Sequence, residues 1–312
     1  MALVRAIALV LVVGAVVGCG AASERGPGTG PSQAVERVPD AGRRGTITVG
    51  SRAGPEQLLL GEIYVQALGA AGFNTRRRLG LGSTEAAYEA LREGRIDGYP
   101  EYVGTSLTTL FDVRAEDVAD DGTRAFRQAR AEYAKRGITA LSPSPFENTL
   151  RLGALRATAD RLGAIETTSQ MAAQAGRLTF AAPPRCDDCV RRLERAYEAR
   201  FDRTVTSERS FEALDRGSAD VALLPTTDAR FTLPQYTLLA DDRHLFPPNP
   251  VSFGIRDEAL RRIGREGREV IERVQRPLTL DVMREYNSRV VLDGERPRDV
   301  AASYLTAAGF VP

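Results

Sequence analysis

Short stretches of alternating polar and apolar residues take turns with longer stretches of helical spacing from residue 46 onward. Residues 46–50 alternate, which predicts a strand. Pro55 stands where a proline favours the first turn of a helix. The apolar positions that follow recur with the helical period, at Leu60, Ile63, Tyr64, Ala67 and Leu68.

The same succession is repeated further along the chain. A strand is predicted over 73–79, and a helix is predicted to begin at Ser83 or Thr84 and to end at Gly94. Strands that alternate with helices are typical of α/β folds with a largely parallel sheet. We therefore predict an α/β fold.

Residues 90–97 match residues 213–220 in the spacing of their key positions. Each segment has the pattern of a helix end, a glycine stop and then an aspartate, Asp97 or Asp220, that precedes a strand. The first of these strands is expected to end in a turn over 99–101. Two equivalent units so far apart predict two similar α/β lobes.

Ligands of open α/β sheets bind at the carboxyl ends of strands and near helix N-termini. The loops that this rule selects are 51–54, 82–84, 101–105 and 225–228. They are rich in hydroxyl groups and backbone donors, which suits a small polar or anionic group held between two lobes.

The first nineteen residues have the layout of an export signal. Arg5 supplies a positive charge, and an apolar run from residue 6 to 17 follows that is too short to span a bilayer. It leads into Val16-Val17-Gly18-Cys19, which resembles a bacterial lipobox, so we predict a signal peptide over 1–18 and a lipid on Cys19. Residues 19–45 are rich in Gly, Pro, Ser and charge and are predicted to be a flexible tether.

Charge and composition narrow the function. The chain has 42 Lys and Arg against 41 Asp and Glu, without the basic excess expected of a nucleic-acid-binding protein. His244 is the single histidine, so a histidine zinc site or a catalytic triad would depend on it alone. We predict no catalytic residues, no metal and no cofactor.

Cys186 and Cys189 form a C-x-x-C motif with three interpretations. A redox pair needs a thiol of low pKa, which Asp187 and Asp188 oppose. A zinc knuckle needs a second pair of ligands, which the sequence lacks. A structural disulfide suits an exported, oxidising setting, and it is the interpretation that we favour.

Several motifs resemble one family, the glycine betaine/choline/carnitine-type osmoprotectant-binding proteins of ABC importers. The resemblance extends in order over 46–312, and its most specific part is the run from Asp97 to Thr105. The other motifs that carry it are at 47–52, 56–57, 60–64, 81–85, 94–96, 144–149, 241–248 and 299–301.

The family implies a two-lobed, type II periplasmic-binding-protein fold with two hinge crossovers. One lobe would take residues 46–145 plus 249–312, and the other 146–248. Its partners would be a small solute and the subunits of an ABC permease. The solutes of this family are typically quaternary amines. The protein would act as a monomer at the outer face of the cytoplasmic membrane.

The resemblance also suggests site residues. Tyr102 matches the cage tyrosine that binds a quaternary ammonium by cation–π attraction, and Thr105 matches a ligand-binding threonine. Arg52 replaces a lysine and is expected to bind a carboxylate, and Arg185 stands near the arginine of the second lobe. The other candidate ligand-binding residues are Ser51, Gln57, Ser83, Thr84, Asn148 and Thr226.

The sequence departs from the family at three further cage positions, where Leu150, Pro225 and Asn249 stand in place of tyrosines. Candidate replacements for these rings are Tyr99, Phe146, Phe211 and Phe231. We therefore expect an extracytoplasmic solute-binding lipoprotein for glycine betaine, choline or a related solute. The alternatives are a binding protein for a different polar ligand, a ligand sensor for a membrane receptor, and an exported thiol redox protein.

Overall fold

The computed structural model describes residues 34–184 and 186–311. Its strands are β1 Thr46–Gly50, β2 Asn74–Arg78, β3 Gly98–Tyr102, β4 Ile138–Ala140, β5 Leu150–Leu155, β6 Thr179–Ala182, β7 Arg203–Thr206, β8 Val221–Pro225, β9 Tyr236–Leu238 and β10 Val251–Arg256. Its helices are α1 Pro55–Ala70, α2 Thr84–Arg92, α3 Val103–Thr105, α4 Gly122–Ala134, α5 Arg156–Arg161, α6 Thr168–Ala172, α7 Asp187–Tyr197, α8 Ser210–Asp215, α9 Asp257–Gln275, α10 Leu280–Val291 and α11 Pro297–Ala307.

Within these residues the strands form two five-stranded sheets with one shared plan. The first has the order β2-β1-β3-β10-β4 and the second β7-β6-β8-β5-β9. In each, three strands pair in parallel, the fourth is antiparallel, and the last pairs antiparallel to the fourth. We call the elements β1–β4 and β10 with their helices the first sheet unit, and β5–β9 with theirs the second.

Each antiparallel strand comes directly after a passage of the chain between the units. β5 follows the crossover at 141–149, and β10 follows the crossover at 239–250. The crossovers run side by side: Glu147 forms an isolated antiparallel bridge with Pro250, and Asn148 N donates to Asn249 O at 3.1 Å. The connection between the units is therefore a pair of extended segments joined to each other.

The two matching sequence segments occupy equivalent places in the two sheets. Thr48 N donates to Asp97 Oδ2 at 2.8 Å, and Thr179 N donates to Asp220 Oδ2 at 2.9 Å. The backbone bonds between the same residues run the other way, at 2.7 and 2.8 Å. This shared clamp ties β1 to the start of β3 and β6 to the start of β8, and it confirms the predicted repeat.

Each unit has its own apolar core. In the first, Ile47, Leu60 and Phe253 are fully buried between the sheet and helices α1, α9 and α11. In the second, Phe180 of β6 and Leu193 of α7 are fully buried in one cluster. No helix among the described residues is long and apolar enough to cross a bilayer.

Three local predictions differ from the structure. Residues 34–45 do not form a free tether: Val35 N donates to Phe310 O and Val38 N to Ala71 O, both at 2.9 Å, and Ala41 is buried in the first core. These apolar side chains make the segment part of the folded body. The remainder of the predicted tether, the signal peptide and Cys19 lie outside the described residues.

The predicted turn at 99–101 lies instead within β3. Its pairing with β1 is limited to Val49 and Gly98, so the strand continues through Pro100 although proline cannot donate to a ladder. The sequence also allows a helix over 190–200 after the C-x-x-C motif, and in the structure this helix begins earlier, at Asp187.

Candidate functional site

A cavity of about 280 Å³ lies where the first sheet unit, the two crossovers and α7 meet. Its wall is mixed in character, with hydroxyl and amide groups beside apolar side chains and one guanidinium. It is lined by Gly104, Thr105, Thr108, Ala115, Asn148, Thr149, Leu150, Cys189, Arg192, Phe246, Pro247 and Asn249.

Asn249 fixes one side of this cavity. Its Oδ1 accepts from Thr105 N at 3.0 Å, while its Nδ2 donates to Thr105 Oγ1 at 3.2 Å and to Asn148 O at 2.7 Å. One side chain thus joins the N-terminal part of the first unit to both crossovers.

Next to the cavity, Glu56 lies in the first turn of α1 and collects donors from three distant segments. Its Oε1 accepts from the Tyr102 hydroxyl at 2.5 Å and from Asn148 Nδ2 at 3.0 Å, and its Oε2 accepts from Asn287 Nδ2 at 2.7 Å. Asn287 also donates to Thr227 O of the second unit at 3.0 Å. Because Asn148 both lines the cavity and binds Glu56, the two features are adjacent.

Near the cavity, Arg52 has an acidic partner, whereas Glu56 has no basic one among the described residues. Arg52 Nη1 pairs with Glu101 Oε1 at 3.0 Å, and the Arg52 guanidinium lies 5.2 Å from the centre of the Tyr102 ring. Among the described residues, no basic side chain lies within 4 Å of the Glu56 carboxylate. Glu56 therefore has neutral donors only, whereas the charge of Arg52 is already matched.

Burial and these partners shift the local pKa values. Burial lowers the pKa of Arg52, but Glu101 raises it by more, so its pKa lies above the ordinary value. Burial raises the pKa of the Glu101 carboxyl even beside Arg52. Burial, followed by the negative charge of Glu56, raises the pKa of Tyr102 well above its usual range, so Tyr102 stays a hydrogen-bond donor.

The structure gathers some of the candidate ligand-binding residues at this site. Thr105 and Asn148 line the cavity, Tyr102 binds Glu56, and Gln57 is 3% exposed on the same turn of α1 as Glu56. Arg52 faces Tyr102 and Glu101.

The other candidates have structural contacts. Ser51 Oγ accepts from Gly80 N at 3.1 Å and donates to Arg52 O at 2.9 Å, and Ser83 Oγ caps α2 by accepting from Ala86 N. Thr84, the first residue of α2, is buried. Thr226 Oγ1 donates to Glu147 O at 2.8 Å and accepts from Thr149 N at 3.1 Å. Arg185 lies outside the described residues.

Two of the three expected cage positions line the cavity, and the third is paired with one of them. Leu150 and Asn249 line it, and Pro225 pairs with Leu150 across β5 and β8. No aromatic ring stands at any of the three. The wall is therefore less aromatic than the family's cage.

The rings considered as replacements are engaged elsewhere. Phe146 and Tyr99 are buried, and the Tyr99 hydroxyl donates to Glu101 Oε2 at 3.2 Å. The Phe211 ring contacts Arg230 at 3.8 Å and the Phe231 ring contacts Arg284 at 5.2 Å. Phe246, which the sequence analysis did not select, is the ring on the cavity wall in the described part of the chain.

Sequence reasoning also missed Glu56, Asn287 and Arg192. Glu56 belongs to the motif at 56–57 that carries part of the family resemblance, and the strand-end rule that selected 51–54 would include it with a slightly longer window. Asn287 belongs to a helix without a motif, and Arg192 lies beyond the C-x-x-C motif at the start of α7, so only the fold brings them to the site.

Cys186 and Cys189 form a disulfide with a Cα–Cα distance of 4.9 Å. It spans the start of α7, and Cys189 faces the cavity one helical turn before Arg192. The disulfide thus closes the end of the helix that presents Arg192.

Comparisons with known proteins agree on one family. The family model described as the substrate-binding domain of ABC-type glycine betaine transport systems matches residues 45–307. A glycine-betaine-binding protein of Pseudomonas aeruginosa is 27% identical over 276 residues, which cover 83% of this chain and 87% of that protein. The glycine betaine-binding protein YehZ of Escherichia coli is 25% identical over 285 residues, 85% of this chain and 91% of that one.

Solved structures show the same fold. A glycine betaine/carnitine/choline ABC transporter structure matches with a TM-score of 0.76 at 21% identity, over 84% of this chain and 98% of that one. Apo YehZ from E. coli matches with a TM-score of 0.72 at 21% identity, over 85% and 99%. The chain belongs to the family of substrate-binding domains of ABC-type glycine betaine transport systems.

Proposed function

We propose that the protein captures a small osmoprotectant-like solute with a positively charged nitrogen, and delivers it to an ABC permease by closure of two lobes. The observation that carries the proposal is the Glu56 carboxylate, which lies beside the cavity with neutral donors only. A partly enclosed negative charge without a positive partner favours a cation.

The lobes of this proposal are residues 46–145 plus 249–312 and residues 146–248. The crossovers at 141–149 and 239–250 are the hinge. On the far side of the site α10 reaches the second sheet unit, where Arg284 Nε donates to Thr226 O at 2.8 Å. A solute that touches both lobes stabilises the closed arrangement by its higher affinity for that state.

The other end of a zwitterionic solute is assigned to Arg192. Its guanidinium lines the cavity, and a guanidinium has five N–H donors, of which Nη2 binds Leu245 O. Arg52, the residue suggested by the sequence, is paired with Glu101. A carboxylate on Arg192 and a cation near Glu56, which Asn148 connects to the cavity, would give each charge of one solute its own partner.

The protein binds and releases its solute without chemistry of its own and acts as a monomer. Family members work outside the cytoplasm with ABC transporters, and we place this one at the outer face of the cytoplasmic membrane by a lipid on Cys19. The support for the anchor is the lipobox-like sequence at residues 16–19.

A solute screen tests the function. The full chain, unfolded and refolded to remove any carried solute, is heated with quaternary amines, amino acids and sugars, and its melting is recorded. A solute at 100 times its Kd stabilises the fold by about 2.7 kcal/mol. A hit among nitrogen cations, together with loss of uptake of that solute on gene deletion, supports the proposal. Hits confined to sugars, or unchanged uptake, contradict it.

A further inference from the structure

We infer that the cation recognised at Glu56 carries at least one N–H group, so that the preferred solute is a protonated amine and not a quaternary ammonium. This inference rests on the proposed function and names the substrate class for the same site. It follows from three neighbouring acceptor groups and from the engagement of the rings.

The first observation is a pair of buried amides with unused polar atoms. Gln57 is 3% exposed and lies near the Tyr102 hydroxyl, yet neither its Oε1 nor its Nε2 has a hydrogen-bond partner among the described residues. Asn287 is 4% exposed, and its Oδ1 likewise has none there. Buried polar atoms of this kind are costly and are normally satisfied.

The second observation is that these amides adjoin the unpaired charge. Asn287 Nδ2 is bound to Glu56 Oε2 at 2.7 Å and Thr227 O at 3.0 Å, so the Oδ1 of the same amide lies beside the carboxylate. Gln57 follows Glu56 on the first turn of α1. Both Glu56 and Gln57 approach the Tyr102 hydroxyl, so one negative charge and two amide oxygens lie in one neighbourhood beside the cavity.

The third observation concerns aromatic faces. A quaternary ammonium has no N–H and is bound by the faces of rings. Here Leu150 and Asn249 stand at two wall positions, and the ring of Tyr102 already holds the Arg52 guanidinium at 5.2 Å. The cation end thus offers acceptors, which satisfy N–H donors, in place of the ring faces that methyl groups require.

Two methylation series test the inference by calorimetry on the refolded full chain. The first is glycine, N-methylglycine, N,N-dimethylglycine and glycine betaine, and the second is proline, N-methylproline and the N,N-dimethyl betaine of proline. The total charge is constant within each series, so only N–H donors and methyl groups change. We expect the last methylation, which removes the last N–H, to weaken binding about tenfold or more in each series.

Glycine betaine that binds as tightly as N,N-dimethylglycine, or more tightly, overturns the inference and leaves the proposed function intact. No binding by any member of either series, together with none by choline or carnitine, overturns both. Failure of the inference and failure of the proposed function therefore give different results in the same experiment.

Gln57→Leu provides a second readout that does not depend on folding. The leucine removes two unpaired polar atoms and no hydrogen bond within the protein, so the variant should melt no lower than the parent. We expect it to reduce the preference for N,N-dimethylglycine over glycine betaine at least threefold. Gln66→Leu, on the same helix but bound to Glu62 and Arg298 O, is the matched control and should keep the preference. An unchanged preference in Gln57→Leu contradicts the role of this amide.

Discussion

At the scale of single residues, the site depends on how two carboxylates are neutralised. Glu101 is buried against Arg52, and the pair is part of the folded framework. Glu56 has three neutral donors and keeps a net charge to offer to a ligand. Glu101 differs from Glu56 in having the Arg52 guanidinium as its partner.

Replacing Glu56 by Gln keeps the shape and removes the charge. Because hydrogen bonds to charged groups contribute about 1.5–3 kcal/mol, we expect cationic solutes to bind more weakly by that amount. Isothermal titration of the best solute measures the change. Glu89→Gln, an exposed carboxylate on α2, is the control, and equal affinity in both variants would exclude Glu56 from the site.

Asp97→Asn tests the clamp of the first sheet unit. Burial raises the pKa of Asp97, but donation from Thr48 N, Arg256 and Arg262 lowers it by more, so its pKa in the folded protein lies below the ordinary value. Removing one partner of such a buried group should cost about 3 kcal/mol of the free energy of unfolding at neutral pH.

The sign of the pH dependence follows from that lowered pKa. The stabilisation is complete above the unfolded pKa of about 3.9 and is lost as pH falls through the lower folded pKa. Denaturant titrations should therefore show the gap between parent and Asp97→Asn narrowing below about pH 4. A gap that widens in acid would contradict this assignment.

Several single residues were predictable from sequence and others were not. Tyr102, Thr105 and Asn148 belong to local motifs, and the structure brings them together. The partners of Glu56 lie 46, 92 and 231 residues away along the chain. Contacts over such separations depend on the packing of whole units, which periodicity does not encode.

At the scale of elements, α7 connects the disulfide to the cavity. Its first turn carries Cys189 and its second carries Arg192, and both line the cavity. Tyr197, near its end, donates to Asp241 Oδ1 at 2.5 Å, which anchors the helix to the second crossover. The helix thus has one end closed by the disulfide and the other fixed near the hinge.

Replacing both Cys186 and Cys189 by Ser should affect binding more than folding. A disulfide that closes only four residues contributes at most about 2 kcal/mol in the chain-entropy account. The start of α7 should loosen, so carboxylated solutes should lose affinity through Arg192 while solutes without a carboxylate change little. Calorimetry with choline and glycine betaine compares the two. Equal losses for both would contradict the link to Arg192.

Elements with local signals were the most predictable. The segments at 90–97 and 213–220 identify the repeat because each holds a helix end, a glycine and a strand-binding aspartate within eight residues. Pro100 illustrates the limit: a proline next to Tyr99 and Glu101 favours a turn locally, but the antiparallel pairing with β10 places it in a strand.

At the scale of the whole molecule, α10 holds the two sheet units together independently of the cavity. Arg284 donates to Thr226 O and contacts the Phe231 ring, while Asn287 donates to Thr227 O. The arrangement of the two sheet units described here is therefore supported by contacts within the protein itself.

Arg284→Met should weaken that support and lower the affinity for all solutes by a similar factor, about threefold to tenfold, because less of the protein is in the competent state. Small-angle scattering without solute should show a larger radius of gyration than in the parent. Arg298→Met, an exposed arginine on α11, is the control. A change limited to one class of solute would indicate direct contact instead.

The packing of residues 34–45 has a topological consequence. Val35 N donates to Phe310 O at 2.9 Å, so the first and last segments of the folded body lie next to each other. A short linker between these points, with new ends opened at the exposed turn around Gly217, gives a circular permutant with the same contacts. Such a permutant would allow a fluorescent reporter to be inserted in the second sheet unit, which would turn lobe closure into an optical signal.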